Sequence, residues 1–225
     1  MTLQTIRITA RSGAVYGHRV SSRSGIVDTE SPINLDLLAS AVDLISSTPR
    51  NERVIVPVAP CTLDEHLDAY LSMLSTVTPA QASRLVVELY DPVGDADLTA
   101  AYRLAKFVQQ RMHMCVAAWA NPAHQNRLVT TLKHASPNLL FIHHSAAKAD
   151  IANGTRAEVL DILEAAQESG CVAVVDGVET LEHRTWYHEI GVRLFACGLP
   201  PLPGLALDRN ASPQPSVALP VLQTA

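Results

Sequence analysis

Several features that would settle a function class are missing from this chain. Its four cysteines, Cys61, Cys115, Cys171 and Cys197, lie far apart with no CxxC pair. Neither a zinc knuckle nor a disulfide framework is signalled, and buried thiols are expected. No apolar run approaches the ~20 residues that span a bilayer. The opening "MTLQTIRITA" lacks the charged start and apolar centre of a signal peptide, so the expected location is cytoplasmic. There is no basic block and the formal charge is −5, which disfavours an extended nucleic-acid partner held by Lys and Arg, though not a small phosphorylated ligand. The G-x-G-x-x-G turn of a dinucleotide binder is absent, and no H-E-x-x-H or H-x-H occurs among the nine histidines.

What remains suits one large globular domain. Of the 225 residues, 48% are hydrophobic and 17% charged, enough for a sizeable core and within reach of an α/β barrel of ~250 residues. The stretch "LQTIRITARSGAVYGHRV" reads as two β-prone runs around Arg11-Ser12-Gly13, a hairpin that makes the chain begin antiparallel. Leu37, Leu38, Ala41, Leu44 and Ile45 then share one helical face. Strands and helices alternate from there. "RVIVPVAP", "RLVVELY", "MCVAAWA", "NLLFIH", "CVAVVDG" and "VRLFACG" are strand candidates. Helices between them are marked by a stripe from Leu98 through Ala101, Tyr102 and Ala105 to Val108, and by Val159, Ile162, Leu163 and Ala166. Expected starts are Thr62 with Glu65, Asn121-Pro122, and Thr155 with Glu158; Gly170 is an expected stop.

Eight strands, apolar throughout, with about six helices predict a mainly parallel sheet buried on both sides, better closed into a barrel than left open. The barrel is expected over residues 1–207, and residues 208–225, with their three prolines, as a loose tail. In such a barrel the chemistry sits at the carboxyl ends of the strands. Those ends give Pro57 and Ala59, Glu88 and Asp91, Ala117, Ala118 and Trp119, His143 and His144, Asp176 and Glu179, then Cys197. The rim has acids, with a gap in the middle.

"VVDGVETLEHRTWYHEIGVRLFACGLPPLPGL" resembles the closing segment of the bacterial EAL domain, the cyclic-di-GMP phosphodiesterase fold, with its A-E-G-V-E-T, L-G and Q-G elements. Gly177, Val178, Glu179 and Thr180 match outright; Asp176 stands where the family has Glu, and Cys197-Gly198 replaces Q-G. Upstream, "LQTIRITARSGAVYGHRV" is similar to the Y-Q-P-I hairpin, "VPVAPCTL" to N-x-S-P-x-x-L and "LVVELYD" to L-x-x-E-I-T-E. "VAAWA" falls at the L-D-D-F-G site and "LLFIHHS" at K-I-D-x-S. The resemblance implies a TIM-like (β/α) barrel of the EAL type with an antiparallel first strand, and a homodimer is a reasonable expectation.

The departures fall on the chemistry. By the resemblance, the signature glutamate becomes Arg19, with Arg23 kept from its E-x-L-x-R run. The metal-binding asparagine becomes Pro57, the paired aspartates Ala117 and Ala118, the lysine Phe141 and the next aspartate His143. Glu88 keeps a ligand identity, and Asp176 and Glu179 keep carboxylates. Two-metal hydrolysis needs several oxygen ligands around cations ~3.5–4 Å apart. Alanine offers none, and a fixed positive charge ~4 Å from a divalent ion costs roughly 8 kcal/mol at an effective dielectric of ~20. The expectation is a degenerate domain with no cofactor, catalytically inactive, acting by binding a partner protein.

Alternatives stay open at single residues. Arg19 and Arg23 could meet a phosphate of cyclic-di-GMP, giving a receptor without hydrolysis. Glu88 could be a ligand or simply hydrogen-bond inside the barrel mouth. Asp176 and Glu179 could instead cap the helix near Thr180, with Gly177 kept for backbone geometry. His143 with Glu88 and Asp176 could rebuild a metal site for a hydrolase, against surface or packing roles for His143-His144. Trp119 and Phe141 could stack a base or fill vacated space.

Overall fold

The structure is a computed structural model that describes residues 3–22, 33–60, 63–90, 97–112, 115–120 and 125–197. Eight strands close into a barrel in chain order: β1 Leu3–Ala10, β2 Val15–Ser22, β3 Arg53–Val58, β4 Leu85–Leu89, β5 Cys115–Ala120, β6 Leu139–His143, β7 Val172–Asp176 and β8 Leu194–Ala196. All neighbours from β2 to β8 are parallel, whereas β1 runs antiparallel to both β2 and β8. The hairpin expected at Arg11-Ser12-Gly13 causes this reversal. Gly13 takes φ 84°, and the amides of Ala10 and Gly13 donate to Ala14 and Ala10 carbonyls at 2.8 and 2.9 Å.

Period-two alternation sorts each strand between two environments. Ile8, Ile55, Val86, Leu139, Phe141, Val174 and Leu194 point inward and pack together as the barrel interior. Their chain neighbours point out beneath the helices. Val54, Val56, Val58, Val87 and Leu89 meet α1 (Ile33–Ser47), α2 (Leu63–Ser75) and α4 (Thr99–Phe107). Leu140, Ile142, Val175 and Phe195 meet α5 (Gln125–Ala135), α7 (Ala157–Glu168) and α8 (Leu181–Glu189). Both faces are therefore apolar, as the unbroken hydrophobic strands require.

The expected first helix is α1, with Leu37, Leu38, Ala41 and Ile45 buried. The stripe from Leu98 runs along α4 and into a π-helical turn, Val108–Met112. A short α3, Pro79–Ala82, absent from the sequence expectation, carries a full capping box between Thr78 and Gln81. Gly170 does stop α7, at φ 72°. Its start differs from expectation. No side chain of Thr155 or Glu158 closes a capping box; Asp150, buried on α6 (Lys148–Asn153), accepts from the Val159 amide at 3.1 Å and from the Thr155 hydroxyl at 2.6 Å. Gly154, at φ 64°, folds the chain back so that this carboxylate lies over the next helix. Thr62, Asn121, Pro122 and the whole tail 208–225 lie outside the described residues, as does the expected boundary at 207. Among the described residues no helix is long and apolar enough to cross a membrane.

One close approach fixes the β2–β3 seam. Gly17 faces Arg53, and a Cβ on Gly17 would stand 2.5 Å from the Arg53 carbonyl oxygen. Gly17→Ala should therefore spread the two strands, costing about 1–3 kcal/mol as an overpacked site does. A thermal melt should show a fall of roughly 2–12 °C for a chain of this size.

Candidate functional site

Alternation delivers Arg19 from β2, Glu88 from β4, Phe141 from β6 and Asp176 from β7 to the inside of the barrel near its carboxyl-terminal mouth. In register, Arg19 lies beside Ile55, and Glu88 beside Pro57, two residues further along β3. The long arginine side chain spans that offset. Its Nε donates to Glu88 Oε2 and its Nη2 to Glu88 Oε1, both at 2.7 Å, a bidentate fork. Nη1 stands 3.5 Å from Asp176 Oδ2, and the other Asp176 oxygen accepts from the Gly177 amide at 2.8 Å.

Arg19 is 1% exposed and Glu88 0%, so water does not screen this contact. The guanidinium also lies 4.9 Å from the Tyr90 ring centroid and 5.5 Å from that of Phe141, with the aromatic faces adding to its stabilisation. Burial by itself would lower the Arg19 pKa; the pull and hydrogen bonding of Glu88, then the charge of Asp176, outweigh it and raise the pKa above its ordinary value. Burial raises the Tyr90 hydroxyl pKa, against the opposing charge of Arg19.

The sequence-predicted residues divide accordingly. Arg19, Glu88 and Asp176 come together. Glu179 does not join them: it is exposed, at the approach to α8. Arg23 lies outside the described residues, as does Asp91. The acids do not cap α8 either. Thr180 does so, its hydroxyl accepting from the His183 amide at 3.2 Å, which leaves Asp176 turned into the barrel. Gly177 takes φ 76°, and a Cβ there would lie 2.9 Å from His143 Nε2, so both backbone and space call for glycine. Phe141 is fully buried and fills the interior.

The triad of Glu88, His143 and Asp176 is not assembled. Both carboxylates face Arg19, while His143 Nδ1 is 2.7 Å from the Ser145 hydroxyl and accepts from the Ser145 amide at 3.2 Å. Among the described residues no group of three or more His, Cys, Asp or Glu could hold a metal ion. Tyr90 is the member of this site that sequence reasoning missed; its place two residues beyond Glu88 on the inward-facing parity was the available signal.

A second polar cluster adjoins the rim. His144, half-buried, packs against His183 with ring centroids 4.5 Å apart, and its Nδ1 lies 3.3 Å from the Tyr187 hydroxyl. Burial first, then the charges of His183, His143 and Lys148, lower its pKa, with Glu179 opposing.

No family profile and no curated protein matches the chain. Solved structures do. Klebsiella pneumoniae BlrP1, solved with manganese and cyclic-di-GMP, is 19% identical with a TM-score of 0.69, covering 86% of this chain and 53% of its own. Bacillus subtilis YkuI, which has an EAL domain and was solved with cyclic-di-GMP and calcium, is 15% identical at 0.65, covering 85% and 51%. The EAL domain of Xanthomonas citri FimX, in complex with cyclic-di-GMP, is 14% identical at 0.67, covering 86% and 84%. The chain thus spans about half the length of the first two and most of the isolated domain. Its fold is that of EAL domains.

The residues at the mouth do not suit a divalent ion of the kind with which BlrP1 and YkuI were solved. The space between Glu88 and Asp176 already holds a guanidinium, and the register neighbours of Glu88 on β3 and β5 are Pro57 and Ala117, which carry no side-chain oxygen.

Two outcomes follow. Glu88→Leu leaves a buried arginine half-compensated and should cost about 3–5 kcal/mol, whereas the paired Arg19→Met, Glu88→Leu exchange should cost less; closing the double-mutant cycle with Arg19→Met in urea melts measures the coupling. Because the folded His144 pKa is depressed, its contribution is present above the ordinary imidazole value of about 6.5 and is lost as pH falls through the folded pKa. His144→Gln should flatten the stability loss below that value when unfolding free energies are compared across pH.

Proposed function

We propose that the chain is a degenerate EAL-family domain, catalytically inactive, that works in cyclic-di-GMP signalling by binding a partner protein through a face of the barrel. The observation that carries this reading is Arg19, bidentate on Glu88 and paired with Asp176 inside the mouth. Metal-assisted phosphodiester hydrolysis needs oxygen donors free to grip two cations, make a hydroxide and steady the leaving oxygen. Here the converging carboxylates are spent on a fixed cation that can neither ionise a water nor leave its site.

A second reading is a cyclic-di-GMP receptor that does not cut, favoured by the nucleotide-bound relatives. Arg19 weakens it as the phosphate-binding group. Its fork is committed to Glu88, and two carboxylates against one guanidinium leave the centre negative, which repels a phosphodiester. Receptor behaviour would therefore have to use other residues. A homodimer fits either reading.

The test uses the purified chain with cyclic-di-GMP and manganese or magnesium. No linear dinucleotide should appear, titration calorimetry with the nucleotide should give no heat, and a pull-down from the native cell should retain a protein at stoichiometric yield. Metal-dependent turnover would refute the inactive reading. Heat of binding without turnover would move the assignment to the receptor.

A further inference from the structure

The mouth of this barrel gathers two carboxylates, Glu88 and Asp176, that repel one another unless something positive lies between them. In the relatives solved with manganese or calcium, divalent ions are present. In this chain the positive charge is covalent. We infer that Arg19 is a permanent counter-ion that takes the place of a divalent cation, so that the folded barrel is indifferent to metal and its Glu88–Asp176 pair becomes a cation site only when the guanidinium is removed.

Three independent features of the geometry carry this. The fork to Glu88 is short at both oxygens, 2.7 Å each, and the third nitrogen faces Asp176 from across the barrel at 3.5 Å. One side chain therefore joins carboxylates from β4 and β7, as a bridging ion would. The guanidinium and Glu88 are buried, so neither is free to swing into solvent and admit an ion. Tyr90 and Phe141 present ring faces to the same guanidinium, a surrounding that suits a flat organic cation. A divalent ion entering beside Arg19 would meet a positive charge at contact range; replacing Arg19 would require the buried pair to be broken first.

The inference rests on the reading of the mouth given under Proposed function, but its test reads ion binding and stability rather than turnover or partner capture, so either can fail alone. Manganese is titrated into the full chain and into Arg19→Ala, followed by the loss of the free-ion electron paramagnetic resonance signal and by thermal melts with and without chelator. The wild type should leave the signal and the melting temperature unchanged. Arg19→Ala should melt lower without metal and recover on adding manganese, the recovery growing with the logarithm of free ion. Adding Glu88→Ala to Arg19→Ala should abolish that response. Should Arg19→Ala fail to fold in either condition, Arg19→Gln, which keeps an amide donor for Glu88, carries the same comparison. Manganese uptake by the wild type that disappears in Glu88→Gln overturns the inference, as does a folded Arg19→Ala or Arg19→Gln that ignores the metal.

Discussion

A buried charge must be answered where it lies, and the interior of this barrel is organised around one such charge. Arg19 projects from β2 into a space lined by Ile8, Ile55, Phe141 and Val174. Left alone there, a guanidinium would be costly by several kcal/mol. Glu88 and Asp176 bring the answer from the fourth and seventh strands, and the pair of contacts spans the barrel. Swapping the ions for close-packed hydrocarbon would be no less stable in principle. Their effect is to fix which side chains meet in the mouth and what charge the mouth presents.

That constraint connects architecture to proposed role. Strand alternation places the three charged groups on the inside, the parallel register sets their heights, and the aromatic rings of Tyr90 and Phe141 close around them. The inside of the mouth is occupied by the chain's own side chains, Arg19 with Glu88, Asp176 and Phe141. The proposed role, recognition through the outer surfaces of the barrel, follows from that filling.

Much of the fold was legible in the sequence because it is written in local periodicity. The apolar strands, the hairpin at Gly13, the face of α1 and the stop at Gly170 all depend on residues close in the chain. The misfit of Arg19 was legible too, as a cation where the resemblance calls for an acid. Its partner was not, since Arg19 and Glu88 are 69 residues apart and only barrel closure sets their distance. The same reason explains the start of α7: Thr155 and Glu158 have the spacing of a capping box, but Asp150, brought round by Gly154, reaches the amide first. At α8 the sequence offers Asp176 and Glu179 as possible caps, but Thr180 supplies the cap and leaves Asp176 for the interior.

Strand β1 meets β8 through only Ile8, Thr9 and Ala10, so the first and last staves of the barrel share a short seam that forms only once the eighth strand exists. Arg19 is made early, Glu88 later and Asp176 last of the three. A growing chain that collapsed around the arginine before its acids were available would trap a naked cation in hydrocarbon, an outcome that the solvation energy of the guanidinium opposes. The hairpin that carries Arg19 is therefore expected to stay open to water until β4 brings Glu88, and its charge is fully answered only when β7 adds Asp176.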